Sequence, residues 1–408
     1  MTIEISKSFL LSAAVAALPL LAQGCATAPP RGKAVPAELQ AAANVIGYPA
    51  GIRYFPRDAA HVAEFESDYL DALTRERAYL HISPGTKLPP VAYLAISGGG
   101  DNGAFGAGLL NGWTKAGTRP TFKIVTGVST GALIAPFAFL GSDYDEKLKA
   151  LYTSVSLHDI AKERSLLSIV YGDAMADTTP LHNLVKKYLT QEVVDAIAAE
   201  HEKGRILLIA TTNLDVRRSV IWNVTEVAAT NGPNKLDLIQ RILIASAAIP
   251  GTFPPVMIDV EAEGQKYQEM HVDGGTASQV FVYPAAIQLS ALAERDRTLY
   301  VVRNARLDPE WAETDRRTLP IALRAITCLI QNQGVGDLYR IFAIAQRDNV
   351  DFNLAYIPRS FQVQHTVDFD TNYMKALFDV GYQLAVEKRE WEKKPPVLIS
   401  GVDQARGQ

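Results

Sequence analysis

The stretch Phe122-Lys123-Ile124-Val125-Thr126-Gly127-Val128-Ser129-Thr130-Gly131-Ala132-Leu133-Ile134-Ala135 sets the reading of the whole chain. A short apolar run, Phe122 to Thr126, empties into Gly127-Val128-Ser129-Thr130-Gly131, and a segment of small and apolar residues, Ala132 to Leu140, follows. Strand, sharp turn and helix in that order are what a G-x-S-x-G nucleophile elbow requires. Gly127 and Gly131 flank the serine, so the backbone can turn without side-chain clash and carry the Ser129 hydroxyl to the positive end of a helix. Pro136 lies inside that helix, where its missing backbone bond predicts a kink.

Upstream, Val91 to Ile96 has the pattern of a buried strand and runs into Ser97-Gly98-Gly99-Gly100-Asp101-Asn102-Gly103. A small-residue helix follows, Ala104 to Trp113, in which Gly106 and Gly108 permit close packing on a sheet. Consecutive glycines at a helix start present bare backbone N–H groups, the donors that stabilise an oxyanion at a tetrahedral centre. The spacing Gly98-x-Gly100-x-x-Gly103 also fits a dinucleotide fingerprint. That site needs a carboxylate near the tip of the next strand, and Thr126-Gly127-Val128-Ser129 offers none.

Downstream, Tyr267 to Val272 alternates like a strand and leads into Asp273-Gly274-Gly275. A serine hydroxyl is a weak nucleophile near neutral pH and needs a base. Asp273 is a candidate, because desolvation raises a carboxylate above its usual ~3.9 and a hydrogen bond to Ser129 would fix the geometry. An Asp-Gly turn is equally a common structural device, so Asp273 gains its meaning from its company. His271 shares the strand face of Asp273 and reads as a structural histidine. A Ser-His-Asp triad would need a histidine after the acid, and His365 alone follows, in the alternating run Phe361 to Asp368, an expected edge strand or loop.

The three motifs together resemble the patatin-like phospholipase family: a glycine-rich loop, then G-x-S-x-G, then a late D-G-[GA]. Two further stretches fit, Ala245-Ser246-Ala247-Ala248-Ile249-Pro250-Gly251-Thr252-Phe253-Pro254-Pro255-Val256 and Ile209-Ala210-Thr211-Thr212-Asn213-Leu214-Asp215, so the resemblance spans roughly residues 90–305. It implies that Ser129 is the nucleophile and Asp273 its base. Amides of Gly98, Gly99 and Gly100, the last two foremost, would form the oxyanion hole, with Asn102, Gly103, Gly127, Gly131, Gly274 and Gly275 supporting the motifs. The family loop usually carries Arg or Lys just before its last glycine, and here that position is Asn102. Without that fixed charge, a neutral acyl ester or lysophospholipid becomes a more natural substrate than an anionic phospholipid. The scheme uses no cofactor and no metal. A non-catalytic lipid-binding lipoprotein on the same scaffold is the alternative of a different class.

The first residues address where this chemistry occurs. Phe9 to Ala22 is an apolar stretch too short to span a bilayer and suited to a signal core, and it ends in Leu21-Ala22-Gln23-Gly24-Cys25. That resembles a bacterial lipoprotein box in which Cys25 is acylated. Ala26, where an aspartate would retain the protein in the inner membrane, points to the outer membrane. Residues 25–41 read as a proline-rich tether, residues 42–395 as one hydrolase domain and residues 396–408 as a tail. Cys328, in the amphipathic segment Leu319 to Gln333, is expected as a buried thiol.

The chain has 408 residues, 48% of them apolar, and a net charge of −4, enough to bury a large core and without a basic face for nucleic acid. Helices are expected near Arg57 to Leu80, from Tyr144 to Glu202, and at Lys235 to Ala247, Leu319 to Gln333 and Tyr373 to Glu390. Further strands are expected at Arg205 to Thr211, Ser219 to Asn223 and Thr298 to Arg303. This alternation predicts a three-layer α/β/α fold with a mostly parallel sheet, whose site lies at the carboxyl ends of the strands.

Overall fold

The computed structural model describes residues 31–164, 172–309, 311, 313–365 and 367–396. Ten strands form one sheet: β1 (Asn44–Val45), β2 (Arg53–Tyr54), β3 (Val91–Ile96), β4 (Phe122–Val128), β5 (Ile206–Asn213), β6 (Arg218–Asn223), β7 (Val256–Ala262), β8 (Gln265–Asp273), β9 (Arg297–Arg303) and β10 (Asp351–Tyr356). The run β5-β4-β3-β9-β10 is parallel throughout. Antiparallel strands complete the sheet beyond β5, where β6 pairs β5 and β2, and β7 joins β8 to β1. Burial follows the pairing: every residue of β4 and β5 is buried, as expected of a covered parallel centre, whereas β7 alternates buried and exposed toward the sheet edge.

Seven helices position the site: α1 (Ala59–Leu80), α2 (Gly103–Lys115), α3 (Thr130–Leu140), α4 (Gln191–Glu202), α5 (Lys235–Ser246), α6 (Thr318–Arg347) and α7 (Thr371–Val386). Alternate strand residues sort into two cores. Leu94 and Ile96 join Phe105, Ile134, Ile197, Ile239 and Phe378 on one face. Tyr93 and Ala95 join Phe65 of α1 and Leu338 of α6 on the other. The result is a helix–sheet–helix sandwich. Side-chain caps fix two helix starts: Asp58 accepts from the Ala60 and His61 amides, and Asp370 from those of Asn372 and Tyr373.

Gly106 faces the sheet, as expected, against Val302 and Asn304. Gly108 instead faces α7, where a β-carbon would stand 1.9 Å from the Phe378 carbonyl oxygen, so helix packs on helix there. α3 runs from Thr130 to Leu140 with Pro136 inside it. The span from Tyr144 to Glu202 is not one helical stretch: Asp145–Thr153, Leu157–Ile160, Thr179–Tyr188 and α4 are separated, and short strands at Lys162–Glu163 and Ala176–Asp177 interrupt them. β7 and β10 are strands outside the elements expected from the sequence.

α6 continues to Arg347, beyond the expected end, and its first half projects, leaving Ile321, Ile326 and Leu329 exposed. Cys328 is exposed on this half, not buried, because no element among the described residues covers it. Residues 31–41, expected to belong to the tether, are seated on the domain: the Gln268 amide donates to the Lys33 carbonyl at 2.8 Å, and Val35 is buried. Cys25, the signal segment and residues 397–408 lie outside the described residues.

Candidate active site

The register explains why two residues 144 positions apart meet. β6 occupies one edge of β5 from Leu208 to Asn213. On the other edge β4 ends with Val128 opposite Ala210, and β8 ends with Asp273 opposite Thr211, the next residue along. Two strands therefore arrive from opposite directions and stop tip to tip against one partner. The residue leaving β4 is Ser129, and the residue closing β8 is Asp273.

Ser129 adopts φ 56° and ψ −124°, a region that costs about 1–3 kcal/mol for a residue bearing a side chain and persists only where the surroundings over-determine it. Those surroundings are on hand. The Ser129 amide donates to the Ser246 hydroxyl at 3.0 Å, and that hydroxyl donates to the Ala210 carbonyl at 2.7 Å. Gly127 and Gly131 make the tight return possible: a β-carbon on Gly127 would lie 2.4 Å from the Gly131 carbonyl oxygen, and one on Gly131 2.3 Å from that of Ile96.

Asp273 Oδ1 accepts the Gly275 amide at 2.7 Å, and the Ser129 hydroxyl is the side chain that favours the ionised form of the carboxyl. Both residues are buried, Ser129 at 8% exposure and Asp273 at 6%. Burial pushes the Asp273 carboxyl up to about 7, and the hydrogen bonds from Ser129 and Gly275 pull it back only in part. No cation is among these causes, so the group is set as a base near neutrality. Behind it, Gly274 packs on the Ala210 carbonyl.

The glycine loop departs from expectation at one position. The Gly98 amide is committed to the Gln279 carbonyl at 3.1 Å, so Gly98 is a spacer beside Ser129 and not a donor. Among the described residues, the amides of Gly99 and Gly100 are given no acceptor. Both residues have positive φ, 159° and 59°, and a β-carbon on Gly99 would fall 2.1 Å from the Asn304 carbonyl oxygen. Asn304 holds the loop, accepting the Gly106 amide at 3.0 Å and donating to the Ser97 carbonyl at 2.9 Å.

Asp101 and Asn102 bring in the end of the chain. Asp101 Oδ2 accepts the Phe369 amide at 2.8 Å and lies 2.7 Å from His365 Nε2, and Asn102 Oδ1 accepts the Tyr373 hydroxyl at 2.7 Å. Gly103 packs on Thr130 at the start of α3. His365 thus sits in a loop against Asp101, away from the Ser129–Asp273 contact. His271 is buried with Nδ1 2.9 Å from the Thr211 hydroxyl and Nε2 3.0 Å from Glu269 Oε2, a satisfied structural histidine.

Sequence reasoning passed over the residues that join these pieces. Gln279 is buried between the two loops: its backbone carbonyl accepts from Gly98, and its side-chain amide donates to the Gly275 carbonyl at 2.9 Å. Its Oε1 accepts Nη1 of Arg303 at 3.4 Å. Arg303 is buried at the end of β9, and burial pushes its guanidinium down to about 10 against the pull of Asp337. Asp337 on α6 pins the segment after the glycine turn, accepting the Gln279 amide at 2.6 Å and the Ser278 hydroxyl at 2.9 Å. Ser246 lies in one of the quoted motif stretches and could have been singled out there. Nothing in the local pattern marks Gln279, Arg303, Asn304 or Asp337.

Phe105, Ile134, Phe137 and Phe139, near the elbow, are buried core side chains. Among the described residues no group of three or more His, Cys, Asp or Glu could hold a metal ion, and no helix is long and apolar enough to cross a membrane.

A comparison with curated proteins returns no match. Among solved structures the chain is similar to VipD from Legionella pneumophila (TM-score 0.37, 12% identity, covering 73% of this chain and 66% of that one). It is also similar to the type III effector ExoU (TM-score 0.33, 13% identity, 76% and 56%), crystallised as the Pseudomonas aeruginosa protein with SpcU, and to human GIVD cytosolic phospholipase A2 (TM-score 0.29, 10% identity, 71% and 51%). The chain spans about half to two thirds of the length of these proteins. Residues 94–286, which run from β3 through the elbow to the glycine turn after Asp273, match the model of the patatin-like phospholipase family.

Proposed function

We propose that this chain is a serine lipid acyl hydrolase that works through a Ser129–Asp273 dyad and an acyl-serine intermediate. Asp273 accepts the hydroxyl proton as Ser129 Oγ attacks the ester carbonyl. The amides of Gly99 and Gly100 bind the oxyanion, the C–O bond to the leaving alcohol breaks, and that alcohol takes the proton back from Asp273. Water, deprotonated by the same carboxylate, then attacks the acyl-serine, the acyl–Oγ bond breaks as Ser129 Oγ takes that proton back from Asp273, and the fatty acid is released. The observation that carries this reading is the register that halts β4 and β8 end to end on β5, which brings Ser129 to a buried carboxyl held near neutrality.

The triad alternative has no observation in its favour among the described residues: His271 bonds Thr211 and Glu269, and His365 bonds Asp101. We further propose that the enzyme is held at a bacterial outer membrane through an acylated Cys25, on the strength of the sequence around that residue, and that its substrate is a neutral acyl ester or a lysophospholipid, because Asn102 replaces a cation in the glycine loop.

A fluorophosphonate probe tests the dyad. The wild-type chain should be labelled, Ser129→Ala should not, and Asp273→Asn should be labelled at least about 100-fold more slowly. A folded wild-type sample that takes no label would leave only the lipid-binding scaffold.

A further inference from the structure

A cavity of about 540 Å³ opens beside the glycine turn on the α1 and α6 side of the sheet. Neither Ser129 nor Asp273 lines it, nor does any residue of the Gly98 to Gly103 loop. Its depth is apolar, formed by buried Ile221, Val280, Leu299 and Ile341. Its solvent side carries three exposed arginines, Arg57, Arg217 and Arg218, for which no ion pair or hydrogen bond is found among the described residues. Arg340, also in the wall, is already paired with Asp337. The carboxylate of Asp58, at the same wall, accepts from the amides of Ala60 and His61, so the rim sets three guanidinium groups against one carboxylate.

A pit of this size is in the range that holds a small molecule, and an apolar floor under a cationic rim is complementary to an amphiphile with one chain and an anionic head. An inorganic anion would leave the floor unused, and a neutral lipid would leave three guanidinium groups unmatched. We propose that this cavity binds a long-chain monocarboxylate, a free fatty acid, with its chain against Val280 and Ile341 and its carboxylate at Arg217 and Arg218. The site is separate from the dyad and its occupancy requires no hydrolysis. It is nonetheless close to the chemistry. Thr276, Ala277, Ser278, Val280 and Phe281 line it, while Gln279 in their midst turns the other way to hold Gly98 and Gly275. A fatty acid seated here rests on the segment that holds the oxyanion loop.

Isothermal titration calorimetry of the full chain with sodium laurate below its micelle concentration tests the site independently of catalysis. Laurate should bind, and affinity from octanoate to laurate should rise about fourfold per added methylene, as for a chain leaving water. Dodecanol should bind at least about tenfold more weakly, as should laurate to Ile344→Trp, which fills the pit, and to Arg217→Glu/Arg218→Glu, with circular dichroism unchanged in both variants. Dodecanol equal to laurate, laurate affinity unmoved in the two folded variants, binding of dodecyl phosphate without laurate, or no heat at all would each overturn the proposal. None of these outcomes bears on the labelling of Ser129, so the two readings fail separately.

Discussion

Glu269 and Asp273 lie on one face of β8, four residues apart, and the fold buries both, yet it drives their carboxyl groups in opposite directions. For Glu269 burial alone would raise the carboxyl, but Arg53, at 2.5 Å, and His271 outweigh it and bring the group down to about 2. Asp273 meets the same burial with neutral donors only, a hydroxyl and an amide, and stands at about 7. The difference is one guanidinium and the imidazole beside it. A charge partner makes a buried carboxylate a fixed strut, whereas its absence leaves a proton acceptor. Thr211 joins the two ends, its hydroxyl on His271 and its backbone in register with Asp273.

The sharpest way to break this contrast is Asp273→Asn. Turnover of a soluble ester should fall by about 10²- to 10⁴-fold, while chemical denaturation at pH 8 should show a chain no less stable than wild type, because a costly buried charge has gone. Retained turnover, or a large loss of stability at pH 8, would mean that Asp273 is itself the strut.

Glu269→Gln should do the reverse. Leaving Arg53 buried without its counter-charge should cost about 3–5 kcal/mol in denaturation at pH 7, with the rate per folded molecule changed far less. A severalfold drop in that rate with stability intact would place Glu269 in the chemistry.

The smallest effect sharpens the comparison through pH. Asp273 holds its proton more tightly folded than unfolded, so its contribution is full below about pH 4 and is lost as pH rises through about 7, roughly 4 kcal/mol in all. Glu269 holds its proton less tightly folded, so its contribution is present above about pH 4 and is lost as pH falls toward 2. Wild type minus Asp273→Asn stability should therefore decline between pH 4 and 7, and wild type minus Glu269→Gln should decline below pH 4. Turnover should climb with pH through about 7 as Asp273 ionises. A flat difference curve for Asp273→Asn would show that its carboxyl is not raised.

Much of the site was legible because its chemistry is local. A serine between glycines after a buried strand, a run of glycines before a helix, and an aspartate before two glycines each state their own backbone requirement, and those backbones are where the structure has them. Where the reading slipped, a neighbour distant in sequence decided. Gly98 reads as a donor like Gly99 and Gly100 until Gln279 takes its amide. Cys328 reads as buried from its helical pattern, but it stands exposed on the first half of α6. Strand β10, Asp351–Tyr356, follows directly on α6, and its place at the parallel edge beside β9 is a matter of sheet pairing.

By itself the sequence determined the α/β order of elements, the elbow and its strained serine, and the glycine turn that places Asp273, because each depends on glycine placement and on the period of apolar residues. Only the tertiary structure decided that β4 and β8 halt end to end on β5, that Gln279, Asn304 and Arg303 support the glycine loop from behind, and that no cation among the described residues sets the proton affinity of Asp273. A carboxyl group's proton affinity depends on what surrounds it in space, and those surroundings come from chain segments up to 144 residues away in this molecule.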